Sequence, residues 1–149
     1  MDTIRAGHQE AGELTAADGL IQLSRLVQEL HARTSERHDL TPVQAKLLCV
    51  LVLGPRGMAE LAQGFGVERA ALTGLVDRAE RRGLVKRSPV PGDRRARHVM
   101  LTDAGRQAAT AFHADATVEL EHLLDPLAPR DRERFCNAMD EIINAGGHP

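Results

Sequence analysis

Residues 84–102 read LVKRSPVPGDRRARHVMLT, and this stretch decides the fold. Leu84 and Val85 open it, and Val99 and Leu101 close it with the period-2 apolar spacing of a strand. Between them Pro91-Gly92-Asp93 is turn chemistry, followed at once by Arg94, Arg95 and Arg97. The stretch therefore predicts two short strands joined by a basic turn, with Asp93-Arg94-Arg95 at the tip. A helical run from Glu68 to Arg82 comes just before it, and Gly83 stops that helix. A helix followed by a basic hairpin suggests a winged helix-turn-helix. In that architecture the helix enters a major groove and the hairpin reaches the neighbouring minor groove or backbone.

A chain of 149 residues is the size of one ordinary domain and can bury a core without staples. Its net charge of -2 argues against a polyanionic partner until the distribution is considered. Residues 68–97 carry nine Lys and Arg against four Asp and Glu, whereas the remainder carries ten against seventeen. Phosphates feel the local basic stripe, not the total. Trp and Tyr are absent and only Phe65, Phe112 and Phe135 are aromatic, which argues against binding single strands or RNA by base stacking. Cys49 and Cys136 lie far apart and form no CxxC pair. Residues 1–13 are polar and mixed in charge, unlike a secretory leader. No apolar run approaches the ~20 residues of a membrane span. A cytoplasmic protein without a membrane partner is the expectation.

The rest of the chain reads as helices. Residues 1–14 read as a flexible N-terminus. Thr15 can cap a first helix reaching about Asp39, with Leu20, Leu23, Val27 and Leu30 forming a narrow apolar seam. Thr41-Pro42-Val43-Gln44 carries an N-cap, a proline at the first helical position and a capping-box glutamine. The helix it starts is apolar nearly all round, through Leu47, Leu48, Val50, Leu51, Val52 and Leu53, and is predicted to be buried until Gly54-Pro55 ends it. A short helix spans about 58–63. After the hairpin, Thr102-Asp103 begins a long helix to about Leu124, and a last helix spans about 129–145 before Gly146-Gly147 releases the tail. The fold class is mainly α (α+β), in the order helix, helix, helix, helix, strand, strand, helix, helix.

The candidate recognition helix carries Arg69, Ala70, Thr73, Gly74 and Arg78 on one face and Leu72, Leu75, Val76 and Ala79 on the other. Small or polar groups let the backbone approach a groove floor. Gly74 costs ~1 kcal/mol against Ala in mid-helix, and close approach to DNA is one reason to keep it. Thr73 can meet a thymine methyl or a phosphate, and Arg69 or Arg78 can fork onto guanine or grip phosphate. In the hairpin an arginine can enter a narrow minor groove. Asp93 either pairs with an arginine or accepts backbone N–H groups and holds the turn. Each element alone also fits an ordinary solvated face; the two together, in this order, fit DNA binding better.

The chain strongly resembles the MarR family of bacterial regulators. The matching text is LTPVQAKLLCVL, then MAELAQGFGVERAALTGLVDRAERRGLVKR, then GDRRARHVMLTDAG, within about residues 17–146. The wing is the most specific part: Asp93 and Arg95 match the family's D-x-R pattern, and Leu101-Thr102-x-x-Gly105 its closing motif. Ala79 departs from the pattern, which has a larger apolar residue there. The resemblance implies an obligate homodimer binding a pseudo-palindromic double-stranded operator, usually as a repressor. It places Ala70, Thr73, Gly74 and Arg78 on the recognition helix and Arg95 on the wing, with Arg94 and Arg97 as weaker backbone contacts. One domain over 15–146 follows, with dimerisation helices at about 15–39 and 103–146 around a DNA-binding lobe at about 41–102. Apolar residues on the late helices (Leu120, Leu123, Leu124, Leu127, Phe135, Met139, Ile142, Ile143) argue separately for a dimer, because one lobe cannot bury them all.

Three kinds of signal are open to such a regulator. A small-molecule effector is favoured, in a pocket that Leu23, Val27, Leu47, Leu51 and Phe112 can line, although the same residues suit a plain core. A redox response would need Cys49 or Cys136, and Cys49 reads as a core residue. For metal sensing, His31 and His38 are two turns apart on one helix, but His113 has Thr117 one turn on instead of a second histidine. No cofactor and no metal site are predicted. No nucleophile elbow, phosphate loop, HExxH or dinucleotide fingerprint supports an enzyme. A winged-helix adaptor for protein contact is the remaining alternative, and three wing arginines speak against it.

Overall fold

The computed structural model describes residues 12–146. The elements in chain order are α1 (Ala16–Arg37), α2 (Pro42–Val52), β1 (Arg56–Gly57), α3 (Met58–Phe65), α4 (Arg69–Arg81), β2 (Val85–Val90), β3 (Asp93–Leu101), α5 (Asp103–His122) and α6 (Pro129–Gly146). This is the mainly helical α+β class that the sequence predicts. Most of the N-terminal stretch read as flexible, and the tail from Gly147, lie outside the described residues. No helix among the described residues is long and apolar enough to cross a membrane.

Side-chain caps set the helix starts. Thr15 accepts the backbone N–H of Asp18. Thr41 and Gln44 form the full capping box at the start of α2. Thr102 accepts the N–H of Gly105 at 3.0 Å and donates to the carbonyl of Gly83, so one hydroxyl starts α5 and ties it to the end of α4. Each such cap contributes about 1 kcal/mol.

The sheet corrects the sequence reading. A third strand, β1, pairs antiparallel with β3 (Arg56 opposite Val99, Gly57 opposite His98), giving the order β1-β3-β2. Two residues after a Gly-Pro turn show no alternation, so β1 has no periodic signal. It forms because β3 is long enough to pair on both sides. The core gathers Leu47, Leu48 and Leu51 of α2, Leu72 and Val76 of α4, Val85 and Val99 of the hairpin, and Phe112 of α5. Ala79 is fully buried within it.

A second correction concerns α2. Its last residue and the C-cap after it are not enclosed: Val52 is 43% exposed and Leu53 78%. No residue of α6 is fully buried in the single chain, and Phe135 and Met139 are only half-buried. Gly105 is fixed by packing: a Cβ there would clash with the backbone carbonyl oxygen of Leu84. That close approach seats the start of α5 against Leu84, the residue just before β2.

Candidate nucleic-acid interface

α4 divides as its periodicity predicts. Leu72, Leu75, Val76 and Ala79 are buried, while Arg69, Ala70, Thr73, Asp77, Arg78 and Arg81 are exposed and Gly74 is half-buried. Among the described residues, neither Arg69 nor Arg78 is paired with a carboxylate. Thr73 Oγ donates to the carbonyl of Arg69 at 2.9 Å. That bond occupies the hydroxyl proton and leaves the methyl group and the oxygen lone pairs as the available groups. A Cβ on Gly74 would meet only the Nη1 of Arg78, at 3.3 Å. The protein's own packing therefore does not require glycine there.

The wing differs from the sequence reading in one respect. Its tip is Pro91-Gly92, with Gly92 at φ 83, closed by the pairing of Val90 with Asp93. Proline followed by a positive-φ glycine suits a type II turn. Asp93, Arg94 and Arg95 therefore begin β3 instead of occupying the tip. The register then jumps, because Pro89 pairs with Arg97, and Arg94, Arg95 and Ala96 are left without partners on β2. Asp93 Oδ1 holds this bulge by accepting the N–H groups of Arg95 at 2.9 Å and Ala96 at 3.2 Å. Of the two roles open to Asp93, backbone capture is the one adopted. Arg97 braces the bulge from the other side, donating to the carbonyls of Arg94 and Ala96. The Arg94 and Arg95 side chains stay exposed, with no carboxylate partner among the described residues.

Helix and wing meet in one cleft of about 440 Å³. Arg69 and Thr73 line it from α4, Arg87, Arg95, Arg97 and His98 from the wing, and Gly57 to Ala59 from the start of α3. Ala70, Gly74 and Arg78 lie on the same helix but do not line it, and Arg94 faces a separate hollow of about 390 Å³ along the hairpin. The surface is a basic concavity framed by a helix and a ribbon, the shape that duplex phosphates and groove edges fit.

Arg87 is the residue that the sequence reading missed. Its guanidinium bridges Asp77 at 2.7 Å and Glu80 at 3.0 Å, joining β2 to α4. Partial burial works against its charge, but the bonds to both carboxylates outweigh this and raise its pKa. A signal was present: Arg87 shares a strand face with buried Val85, and Asp77 and Glu80 stand at i, i+3 on the facing helix.

The remaining candidates are scattered. Leu47, Leu51 and Phe112 belong to the buried core, while Leu23 and Val27 are each 40% exposed on α1. His31 and His38 set their rings edge-on to Phe112, at centroid distances of 5.1 and 6.1 Å. His38 Nε2 lies 2.7 Å from Asp115 and His122 Nδ1 lies 2.9 Å from Asp125. Among the described residues no three His, Cys, Asp or Glu side chains are grouped to hold a metal ion. Cys49 is half-buried against the core, and burial raises its thiol pKa; Cys136 is exposed on α6.

Comparison with known proteins agrees with this geometry. A model of the MarR family matches residues 38–96. The HTH-type transcriptional repressor NicR of Pseudomonas putida is 45% identical over 68 residues, which are 45% of this chain and only 43% of NicR. The transcriptional regulator HosA of Escherichia coli O111:H- is 32% identical over 128 residues, covering 83% of this chain and 93% of HosA. The structure of the transcriptional repressor CouR bound to a 23-mer DNA duplex superposes with a TM-score of 0.73 at 28% identity, covering 91% of this chain and 99% of that one.

Proposed function

The chain belongs to the MarR family of transcriptional regulators, and from that premise we propose that it is a homodimeric repressor that reads a pseudo-palindromic double-stranded operator. The proteins it matches are named as transcriptional regulators and repressors; it is a regulator, not an enzyme. The observation that carries the DNA reading is the cleft that faces Arg69 and Thr73 of α4 toward Arg95 of the wing. α4 supplies base contacts through Arg69, Ala70, Thr73, Gly74 and Arg78. The bulge held by Asp93 presents Arg94 and Arg95 to the minor groove or backbone, with Arg97 behind them. The DNA-bound state of CouR, a protein of the same fold, supports this arrangement.

The exposed apolar faces support the dimer. Ile21 is 70% exposed on α1, and Ile142 and Ile143 are 63% and 68% exposed on α6. A second copy that covers these faces makes α1, α5 and α6 the dimerisation arms and residues 41–102 the reading lobe. Twofold symmetry then sets the two α4 helices one DNA turn apart, about 34 Å. A small-molecule effector bound between arms and lobes changes that spacing and releases the operator. Operation in the cytoplasm, where DNA and effector are both accessible, completes the reading.

Footprinting of the full chain on the DNA flanking its own gene tests the proposal. Two protected half-sites about 10 base pairs apart support it. Protection of a single half-site by a monomer would refute the dimer, and absence of any protected site would refute the repressor reading.

A further inference from the structure

Arg87 lies in the cleft yet is already engaged on both sides. It pairs with Asp77 at 2.7 Å and with Glu80 at 3.0 Å, and its side chain is only 26% exposed. Asp77 stands one helical turn beyond Thr73 on the exposed face of α4. Without Arg87 that face would turn two uncompensated carboxylates toward DNA phosphates. The same guanidinium is also an ion-pair link from β2 to α4 on the side of the cleft, and the bulge bearing Arg95 continues from the strand paired with β2. A planar fork holding two carboxylates three residues apart fixes an angle, which a single-point ammonium does not.

We propose that Arg87 is a positioning residue for DNA reading: its clamp on Asp77 and Glu80 sets the angle of the wing to α4, so that Arg95 and Thr73 engage one site together. The inference rests on the DNA-binding reading. It makes Arg87 and Arg95 energetically coupled although they need not touch. A residue that only supplied a compensating charge would leave the contribution of Arg95 unchanged.

A double-mutant cycle separates the two. The full chain, Arg87→Met, Arg95→Ala and the double variant are titrated with the flanking DNA fragment, and the thermal unfolding of each is recorded. The clamp predicts that Arg87→Met weakens binding roughly tenfold and that adding Arg95→Ala then costs little more, because the displaced wing has already withdrawn Arg95. Additive losses would overturn it. If Arg87→Met fails to fold, Asp77→Ala with Glu80→Ala opens the clamp from the helix side while removing two negative charges from the DNA face. Weaker binding then supports the clamp, and tighter binding overturns it. No preference of the unaltered chain for the fragment would overturn the DNA-binding reading and the clamp with it. A preference accompanied by additive losses would overturn the clamp alone.

Discussion

Asp93 accepts the backbone N–H of Arg95 at 2.9 Å, so the acid at the base of the wing is what shapes the bulge that carries the exposed arginine. Charge alone says that removing Asp93 should strengthen DNA binding, since a carboxylate among phosphates is repulsive. The geometry says the opposite. Asp93→Ala releases two N–H groups and lets the bulge relax, and operator affinity falls about tenfold, the scale of one to two lost hydrogen bonds. Fluorescence anisotropy with a labelled operator fragment gives the sign directly.

Arg95 and Thr73 should fail in different ways. Arg95→Ala lowers affinity on most sequences and reduces the slope of log affinity against log salt by about 1, as loss of one phosphate contact does. Thr73→Ala instead changes which bases are preferred, because its methyl group is free while its hydroxyl proton is held by the Arg69 carbonyl. Parallel binding selections on randomised half-sites distinguish the two outcomes.

Two glycine substitutions should move stability in opposite directions. Gly105→Ala drives a methyl into the Leu84 carbonyl and costs about 3 kcal/mol, lowering the thermal midpoint by several degrees. Gly74→Ala meets only the flexible end of Arg78 and gains about 1 kcal/mol of helix propensity. If Gly74 serves close approach to a groove, the more stable variant binds its operator more weakly. Thermal unfolding and operator titration on the same samples test both statements.

His31 gives stability a pH dependence of known sign. Burial, and then the nearby Lys46 charge, lower its pKa from the ordinary 6.5. The unfolded chain therefore takes up a proton before the folded one. Stability from this group is full above about pH 6.5 and is lost as pH falls toward the lower folded value. Chemical denaturation between neutral and mildly acid pH should show a smaller decline for His31→Gln than for the unaltered chain.

How much of this was legible in the sequence follows from the range of the interactions. The capping box at Thr41 and Gln44, the two-faced pattern of α4 and the Pro-Gly turn are set by neighbours within a few residues, and each is where the sequence places it. Features that depend on distant partners were missed. β1 needs the far edge of β3. The bulge needs the register of β2 against β3. The Arg87 clamp needs a strand and a helix brought together. The apolar run of α2 suggests burial all round, but Val52 and Leu53 face outward because no element among the described residues covers them.

In the proposed function, helix and wing read one DNA site together. Its most direct test is titration of the full chain with the DNA flanking its own gene, between about 50 and 200 mM salt, against unrelated DNA of equal length. Binding to the native fragment is expected to be tighter at every salt concentration, with a steep loss of affinity as salt rises. Equal, weak affinity for both fragments in effector-free protein would contradict it.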